Sequence, residues 1–254
     1  MRVPRVYLDQ PLHSGAELTL DKAAAHYLVS VLRLRAGAAL NVFNGSGGEY
    51  TALLQSATNK AATIRVGSHN LGVKPSPIQF ILAIGLSRGE RMDWVIQKAV
   101  ELGVNEVIPL FTERCEVKLK GERALKKQGH WQQIAISACE QSQRNDVPVI
   151  KPAQPFGEYL TTSATSPTAC DRDLRVILDP RAEQSLASTL LKQNTSRKTV
   201  VLLSGPEGGF SDGEIEFAQQ KDIISVGLGP RVLRTETAPL AAISIVQALI
   251  GDMT

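Results

Sequence analysis

Along residues 1 to about 70, apolar and polar positions alternate in short runs at the spacing of strands. VPRVYL (3–8), ELTL (17–20), ALNVFNG (39–45), EYTALLQ (49–55) and ATIRVG (62–67) are rich in Val, Leu, Thr and Tyr, and turn residues such as Asn44-Gly45 and Gly47-Gly48 separate them. One helix interrupts the series between Asp21 and Leu32, where Ala24, Tyr27, Leu28, Val31 and Leu32 recur at helical spacing. A small β-barrel is the economical architecture, and barrels of this size often bind RNA.

LGVKPSP (71–77) changes the regime: one Gly and two Pro in seven residues mark a boundary, dividing the chain into 1–72 and 73–254. Beyond it, strand and helix alternate. QFILAIGL (79–86) precedes the helix MDWVIQKAVELG (92–103), whose Met92, Val95, Ile96, Ala99 and Val100 form one stripe and whose Gly103 sits where a glycine cap belongs. EVIPLF (106–111) leads to a long helix around Gly121 to Gln143. RVILDP (175–180) and TVVLLSG (199–205) flank a helix near Glu183 to Lys192. Such alternation indicates a mostly parallel sheet covered on both faces. Ala153 to Arg172, with TTSATSPT inside it, lacks a pattern and reads as a surface loop or a frayed connection.

The segment from Ser204 to Thr237 carries the chemistry. SGPEGGFS (204–211) joins a buried strand to a helix, and Ser211 with Glu214 has the spacing of a capping box. Gly205, Gly208 and Gly209 open a turn where backbone N–H groups can face a ligand, but they match neither the dinucleotide fingerprint nor the P-loop. A second strand, Ile223 to Val226, is followed by a Gly-x-Gly-Pro turn and by Arg231 and Arg234, before an apolar helix closes the chain beyond Pro239. Two glycine turns after two apolar strands point to one carboxyl edge of a parallel sheet, where ligands bind in such folds. A hydrolase using Ser204 or Ser211 is disfavoured, because no histidine is obviously paired with either serine.

Composition narrows the class. At 254 residues, 43% hydrophobic and 21% charged, the chain is globular; no run is long enough to span a bilayer, no signal peptide opens it, and a cytoplasmic location is the default expectation. The net charge of +3 permits nucleic-acid binding without requiring it. Basic residues gather at Arg2 and Arg5, at Arg33 and Arg35, and in KLKGERALKK (118–127); for each cluster a solvated face is the simpler reading. Cys115, Cys139 and Cys170 lack metal or disulfide spacing and read as free thiols, with no metal expected.

GPEGG followed by LGPRVLRTETA (228–238) resembles the RsmE family of bacterial small-subunit ribosomal RNA methyltransferases, which methylate N3 of a uridine and belong to the SPOUT superfamily. HYLVSVLRLRAG (26–37), SRGERMDWVIQKAVELGV (87–104), ERCEVKL (113–119) and ACEQSQRNDVP (138–148) match in the same order. The resemblance implies an α/β protein: an N-terminal PUA-like barrel that binds RNA, then a SPOUT domain ending in a trefoil knot. It also implies a homodimer, S-adenosylmethionine as cofactor, no metal, and 16S ribosomal RNA, in the assembled small subunit, as substrate.

By the same resemblance the cofactor belongs among the loops after Leu178, Leu203 and Val226. Leu178, Leu203, Gly205, Glu207, Gly208, Gly209, Leu228, Gly229, Leu233 and Arg234 are its expected contacts, with Arg234 and Glu207 as catalytic candidates. A guanidinium at 234 could favour the N3 anion, or could form a salt bridge to Glu207 or Glu236. Arg2, Arg5, His26, Arg33, Arg35, Arg88, Arg91, Arg114 and Arg144 are expected at RNA, some alternatively at the dimer interface. Glu140 is a further possible base, or a solvated helix residue. Rival readings are another RNA target for the same fold, or an RNA-binding protein without activity.

Overall fold

The computed structural model describes residues 3–58, 61–72, 76–164, 173–192 and 199–253. Arg2 and Cys170, singled out above, lie outside these. The chain divides into two compact units: Met1–Pro75 together with Cys139–Val147, and Ser76–Ala138 together with Pro148–Thr254.

In the first unit β1 (Arg5–Tyr7), β2 (Glu17–Thr19), β3 (Ala39–Phe43), β4 (Glu49–Ala57) and β5 (Ala62–Asn70) form one sheet in the order β1-β3-β4-β5-β2. Only β1 and β3 run parallel. Register shifts between Tyr50 and Ala52 and between Leu54 and Ser56 bend the β4–β5 ladder, as bulges do, and help the sheet close on its own core. Alternation places Leu40, Val42, Leu54, Ile64 and Val66 in that core with Val6 and Leu28. Each contributes about 1.5–3 kcal/mol of burial.

The expected single helix is two pieces. Asp21 caps α1 (Lys22–His26), its Oδ1 accepting Ala24 N–H at 2.7 Å. A π-helical turn, Tyr27–Val31, follows, closed by Leu32 N–H donating to Tyr27 O at 2.9 Å. Arg33 then takes φ 54°, which ends the helix.

Arg5 corrects the sequence reading. Expected at RNA, it is only 8% exposed, and each guanidinium nitrogen is engaged inside its own unit. Nε donates to Glu49 at 2.8 Å, Nη1 to Cys139 O at 2.8 Å and Nη2 to Asn145 Oδ1 at 2.5 Å, while the guanidinium lies 4.6 Å from the Phe43 ring centroid. A cation so desolvated requires all these partners, and none of its donors remains for a phosphate. Arg144 is also largely buried and paired with Asp146.

The second unit has β6 (Gln79–Gly85), β7 (Glu106–Phe111), β8 (Val149–Ile150), β9 (Gln154–Pro155), β10 (Asp173–Leu178), β11 (Thr199–Ser204) and β12 (Ile224–Val226). All pairs are parallel, in the order β12-β10-β11-β6-β7-β8, with β9 also on β7. The helices are α2 (Arg91–Glu101), α3 (Gly121–Ser142, whose last residues belong to the first unit), α4 (Phe156–Ala164), α5 (Leu186–Lys192), α6 (Asp212–Gln219) and α7 (Thr237–Ile250). α4 and α6 pack Phe156, Tyr159, Leu160 and Ile215 on Ala83, Ile177, Val201 and Leu203 of the sheet. The alternate residues Leu82, Val176, Val200 and Leu202 are equally buried, and α7 contacts β11, α2 and α5. Both faces are therefore covered, as the alternation requires.

Two details differ from expectation. α4 occupies part of the stretch read as a loop: Phe156, Tyr159 and Leu160 at i, i+3 and i+4 supply a short buried stripe in a polar frame. α5 starts at Leu186 instead of Glu183, because Ser185 Oγ takes Ser188 N–H at 3.1 Å and caps it. Gly103, by contrast, has φ 96° just beyond α2, where a terminating glycine belongs.

Candidate active site

β10 pairs in parallel with β11 through Ile177 and Leu203, and with β12 through Leu178 and Val226. The segments after Leu178, Ser204 and Val226 therefore leave one carboxyl edge, which brings both glycine turns together. Asp179 N–H donates to Val226 O at 3.0 Å, Gly227 N–H to Gln184 O at 2.9 Å and Leu186 N–H to Gly227 O at 3.0 Å. These bonds seat the first loop against the third.

The GPEGG loop is a tight turn, with Gly209 N–H on Pro206 O at 2.8 Å and Gly209 at φ 66°. Ser211 and Glu214 complete the capping box: Glu214 N–H donates to Ser211 Oγ at 3.2 Å and Ser211 N–H to Glu214 Oε2 at 2.9 Å. The third loop returns across the edge. Thr235 Oγ1 donates to Gly205 O at 3.0 Å and lies 3.3 Å from Ser87 Oγ, so the segments after β6, β11 and β12 are fastened to one another. Ser87 and Thr235 were not singled out from the sequence; their only signal was membership of the SRGERMDW and LGPRVLRTETA stretches.

Glu207 is a pinned anion. Its Oε1 accepts Arg88 N–H at 3.0 Å and Arg91 Nη1 at 2.6 Å. Partial burial pushes its carboxyl up, but hydrogen bonds from its own backbone, Arg88 and Arg91 together hold it below the usual range. That suits a loop-fixing role and makes it a weak base. Glu236 lies 3.9 Å from Arg91 Nε, so both acids weighed as partners of Arg234 face Arg91. Arg234 is exposed and, among the described residues, forms no ion pair. Arg114 reaches Gly208 O at 3.1 Å, and Arg88 pairs with Glu116 at 2.8 Å. Arg88, Arg91 and Arg114 are thus tied to this edge, while His26, Arg33 and Arg35 are exposed in the first unit. Glu140 is also in the first unit; burial pushes its carboxyl up against the opposing pull of the Tyr7 N–H, which it accepts at 3.0 Å, and of Arg5.

Close packing dictates one glycine. A Cβ on Gly85, at the end of β6, would stand 2.5 Å from Pro206 Cδ and 2.6 Å from Pro206 N. Gly85→Ala must push the GPEGG backbone away, and we expect it to cost about 1–3 kcal/mol, a fall in Tm of a few degrees in thermal unfolding. An unchanged Tm would show that the loop yields freely.

The edge also fits the S-adenosylmethionine that the resemblance implies. Leu178, Leu228 and Leu233 are half-buried apolar side chains of the kind that flank an adenine, whereas Leu203 is fully buried. A Cβ on Gly209 or Gly229 would meet nothing within 4 Å, so space remains beside both turns. Among the described residues no group of His, Cys, Asp or Glu could hold a metal, and no helix is long and apolar enough to cross a membrane.

Comparison with known proteins gives this arrangement its context. The RNA methyltransferase domain family matches residues 74–247, and the RNA methyltransferase PUA domain family matches residues 20–67. Ribosomal RNA small subunit methyltransferase E of Buchnera aphidicola subsp. Schizaphis graminum is 35% identical, covering 100% of this chain and 99% of that protein. Its Bacillus subtilis namesake is 32% identical with 96% of each covered. A crystal structure of ribosomal RNA small subunit methyltransferase E from Neisseria gonorrhoeae, bound to S-adenosylmethionine, superposes with a TM-score of 0.89 at 35% identity, covering 100% of both chains. With glycine loops at one parallel edge, a PUA-type sheet before them and likeness over the full length, the chain belongs to the ribosomal RNA small subunit methyltransferase E family.

Proposed function

We propose that this protein transfers the methyl group of S-adenosylmethionine to N3 of one uridine in 16S ribosomal RNA. The observation that carries the reading is the carboxyl edge itself, where the GPEGG turn, the LGPRVLRTETA segment and an exposed Arg234, without an ion pair among the described residues, meet. The names of the full-length relatives support the substrate, and the ligand of the Neisseria gonorrhoeae structure supports the cofactor.

When bound, S-adenosylmethionine supplies an electrophilic methyl group, and the protein has to align the acceptor with it. Backbone groups at Leu178, Leu203, Gly205, Leu228, Gly229 and Leu233, with Gly208 and Gly209 beside them, form its seat in this reading. Uridine N3 carries a proton at neutral pH and attacks only as that proton leaves. Arg234 faces the uracil oxygens and stabilises the N3 anion, which lowers the barrier without a strong base. Glu207 orients the GPEGG turn through Arg88 and Arg91. A uridine must be unstacked to enter such a site. In this division of labour residues 1–72 form the RNA-binding barrel, with His26, Arg33 and Arg35 at its exposed surface, and residues 73–254 the catalytic domain.

The functional unit in this reading is a cytoplasmic homodimer acting on the assembled small subunit. α7 supports the dimer: Ala242, Ile243 and Val246 are buried, yet Leu249 near its end is 40% exposed, and Trp94 of α2, beside the start of α7, is 46% exposed. The fastening of Thr235 to Gly205 and Ser87 is likewise what a trefoil-knotted closing segment would need. Small subunits from cells lacking this protein, incubated with labelled S-adenosylmethionine, are expected to yield label in N3-methyluridine by mass. Label in another nucleoside would keep the methyltransferase and discard the uridine assignment; no label on subunits or naked RNA would favour an RNA-binding protein without activity.

A further inference from the structure

The basic run KLKGERALKK is absorbed by none of the roles above. Between Lys118 and Lys127 stand five cations and one anion, Glu122, a net charge of +4 in ten residues. The whole chain carries +3, so everything outside this strip is slightly acidic. Lys127 is committed to Asp93 at 2.9 Å, and Lys126 pairs with Glu122 at 2.8 Å in solvent. Lys118, Lys120 and Arg123 are exposed and, among the described residues, form no ion pair. Leu125, within the same run, is 66% exposed.

The strip also has a fixed address. It follows β7, which ends at the same carboxyl edge as the glycine turns. The intervening residues are bound to that edge: Glu113 N–H donates to Glu214 Oε1 at 2.8 Å, Arg114 Nη1 to Gly208 O at 3.1 Å, and Glu116 pairs with Arg88 at 2.8 Å. Lys118 lies two residues beyond Glu116, so its Cα is within about 7 Å of an anchored position. A solvated face needs no such anchoring, and two of the nearby acids are already engaged, Glu116 with Arg88 and Glu122 with Lys126.

We infer that Lys118, Lys120 and Arg123 form a phosphate-binding strip, carried by the catalytic unit itself, that grips RNA backbone flanking the target nucleotide. The strip is independent of the barrel and carries no sequence information; it sets register and affinity, as phosphate contacts do. The inference rests on the RNA-methyltransferase reading above.

The test compares wild type with the triple variant Lys118→Gln, Lys120→Gln, Arg123→Gln in the full-length protein. Naked 16S RNA binding is measured across a range of potassium chloride concentrations, and methyl transfer alongside it. Each lost phosphate contact removes about 0.7–0.9 from the slope of log affinity against log salt, so the slope should fall by about 2–3. KM for RNA should rise at least about tenfold with kcat at saturating RNA nearly unchanged, the mark of lost uniform binding. The charge-keeping set Lys118→Arg, Lys120→Arg, Arg123→Lys should restore the slope, which a loss of folding or a merely structural role would not predict. Equal slopes and equal KM in variant and wild type would overturn the strip. So would a defect confined to assembled subunits and absent on naked RNA, which would assign these cations to an acidic ribosomal protein. Failure of wild type to methylate anything would sink the parent reading instead, while the binding slopes still report on the strip.

Discussion

Arg234→Ala is expected to lower kcat for methyl transfer by about 10²–10³-fold, the usual loss when one donor to a developing anion is removed. Affinity for S-adenosylmethionine should change by no more than a few-fold. The separation follows from how the residue is held. Its carbonyl accepts Thr237 and Ala238 N–H at 2.9 and 3.0 Å, opening α7, and its neighbour Thr235 is fastened to Gly205 O at 3.0 Å. Truncation therefore leaves the backbone of the loop where it was. Because the side chain is exposed and forms no ion pair among the described residues, its removal strands no buried charge. Single-turnover transfer together with calorimetric cofactor binding would read the two quantities; turnover like wild type would remove Arg234 from the chemistry.

Arg5→Ala has the largest expected effect on stability, about 3–5 kcal/mol, the range found when one member of a buried ion pair is deleted. Glu49, 17% exposed at its side chain, would keep only Asn41 Nδ2 at 3.1 Å, and the carbonyls of Cys139, Glu140 and Arg144 together with Asn145 Oδ1 would lose their donor. The damage should be local to the first unit, so hydrogen exchange of β1 and β3 amides should accelerate well before that of β6 or β11. Removing the charge on both sides, Arg5→Met with Glu49→Gln, should cost less than Arg5→Ala alone. Equal exchange rates in Arg5→Ala and wild type would mean that water replaces every partner at no cost.

Arg5 also shows where reading from sequence stops. Arginine is rarely buried, and nothing in VPRVYL announces acceptors more than 130 positions away. Local signals carried further: the Ser211 capping box, the glycine after α2 and the strand alternation are set within a few residues, and each stands in the structure as the pattern requires. α4 lay below the threshold of pattern because one i, i+3, i+4 stripe in a polar stretch is a weak periodicity. The π-helical turn at Tyr27 is invisible to a 3.6-residue period. At the edge, the glycine turns were legible, but the commitment of Glu207 and Glu236 to Arg91 was not, since partner choice among several arginines depends on loop geometry. The need for Gly85 arises likewise from Pro206, a neighbour brought close only by the β6–β11 pairing.

That Cys139–Val147 belongs to the barrel's unit has a consequence for synthesis. At about 5–20 residues per second, the roughly 70 residues from the end of β5 to Cys139 take several seconds to translate. Throughout that interval the nascent barrel has its strands and Glu49 but lacks the carbonyls and the amide that saturate Arg5. It waits as an unfinished shell with an under-partnered cation inside, and completes only after more than half of the polypeptide has been made. A slow translation stretch before position 139 would prolong that vulnerable stage, and a nascent-chain protease assay should find the barrel cleavable until the helix end emerges.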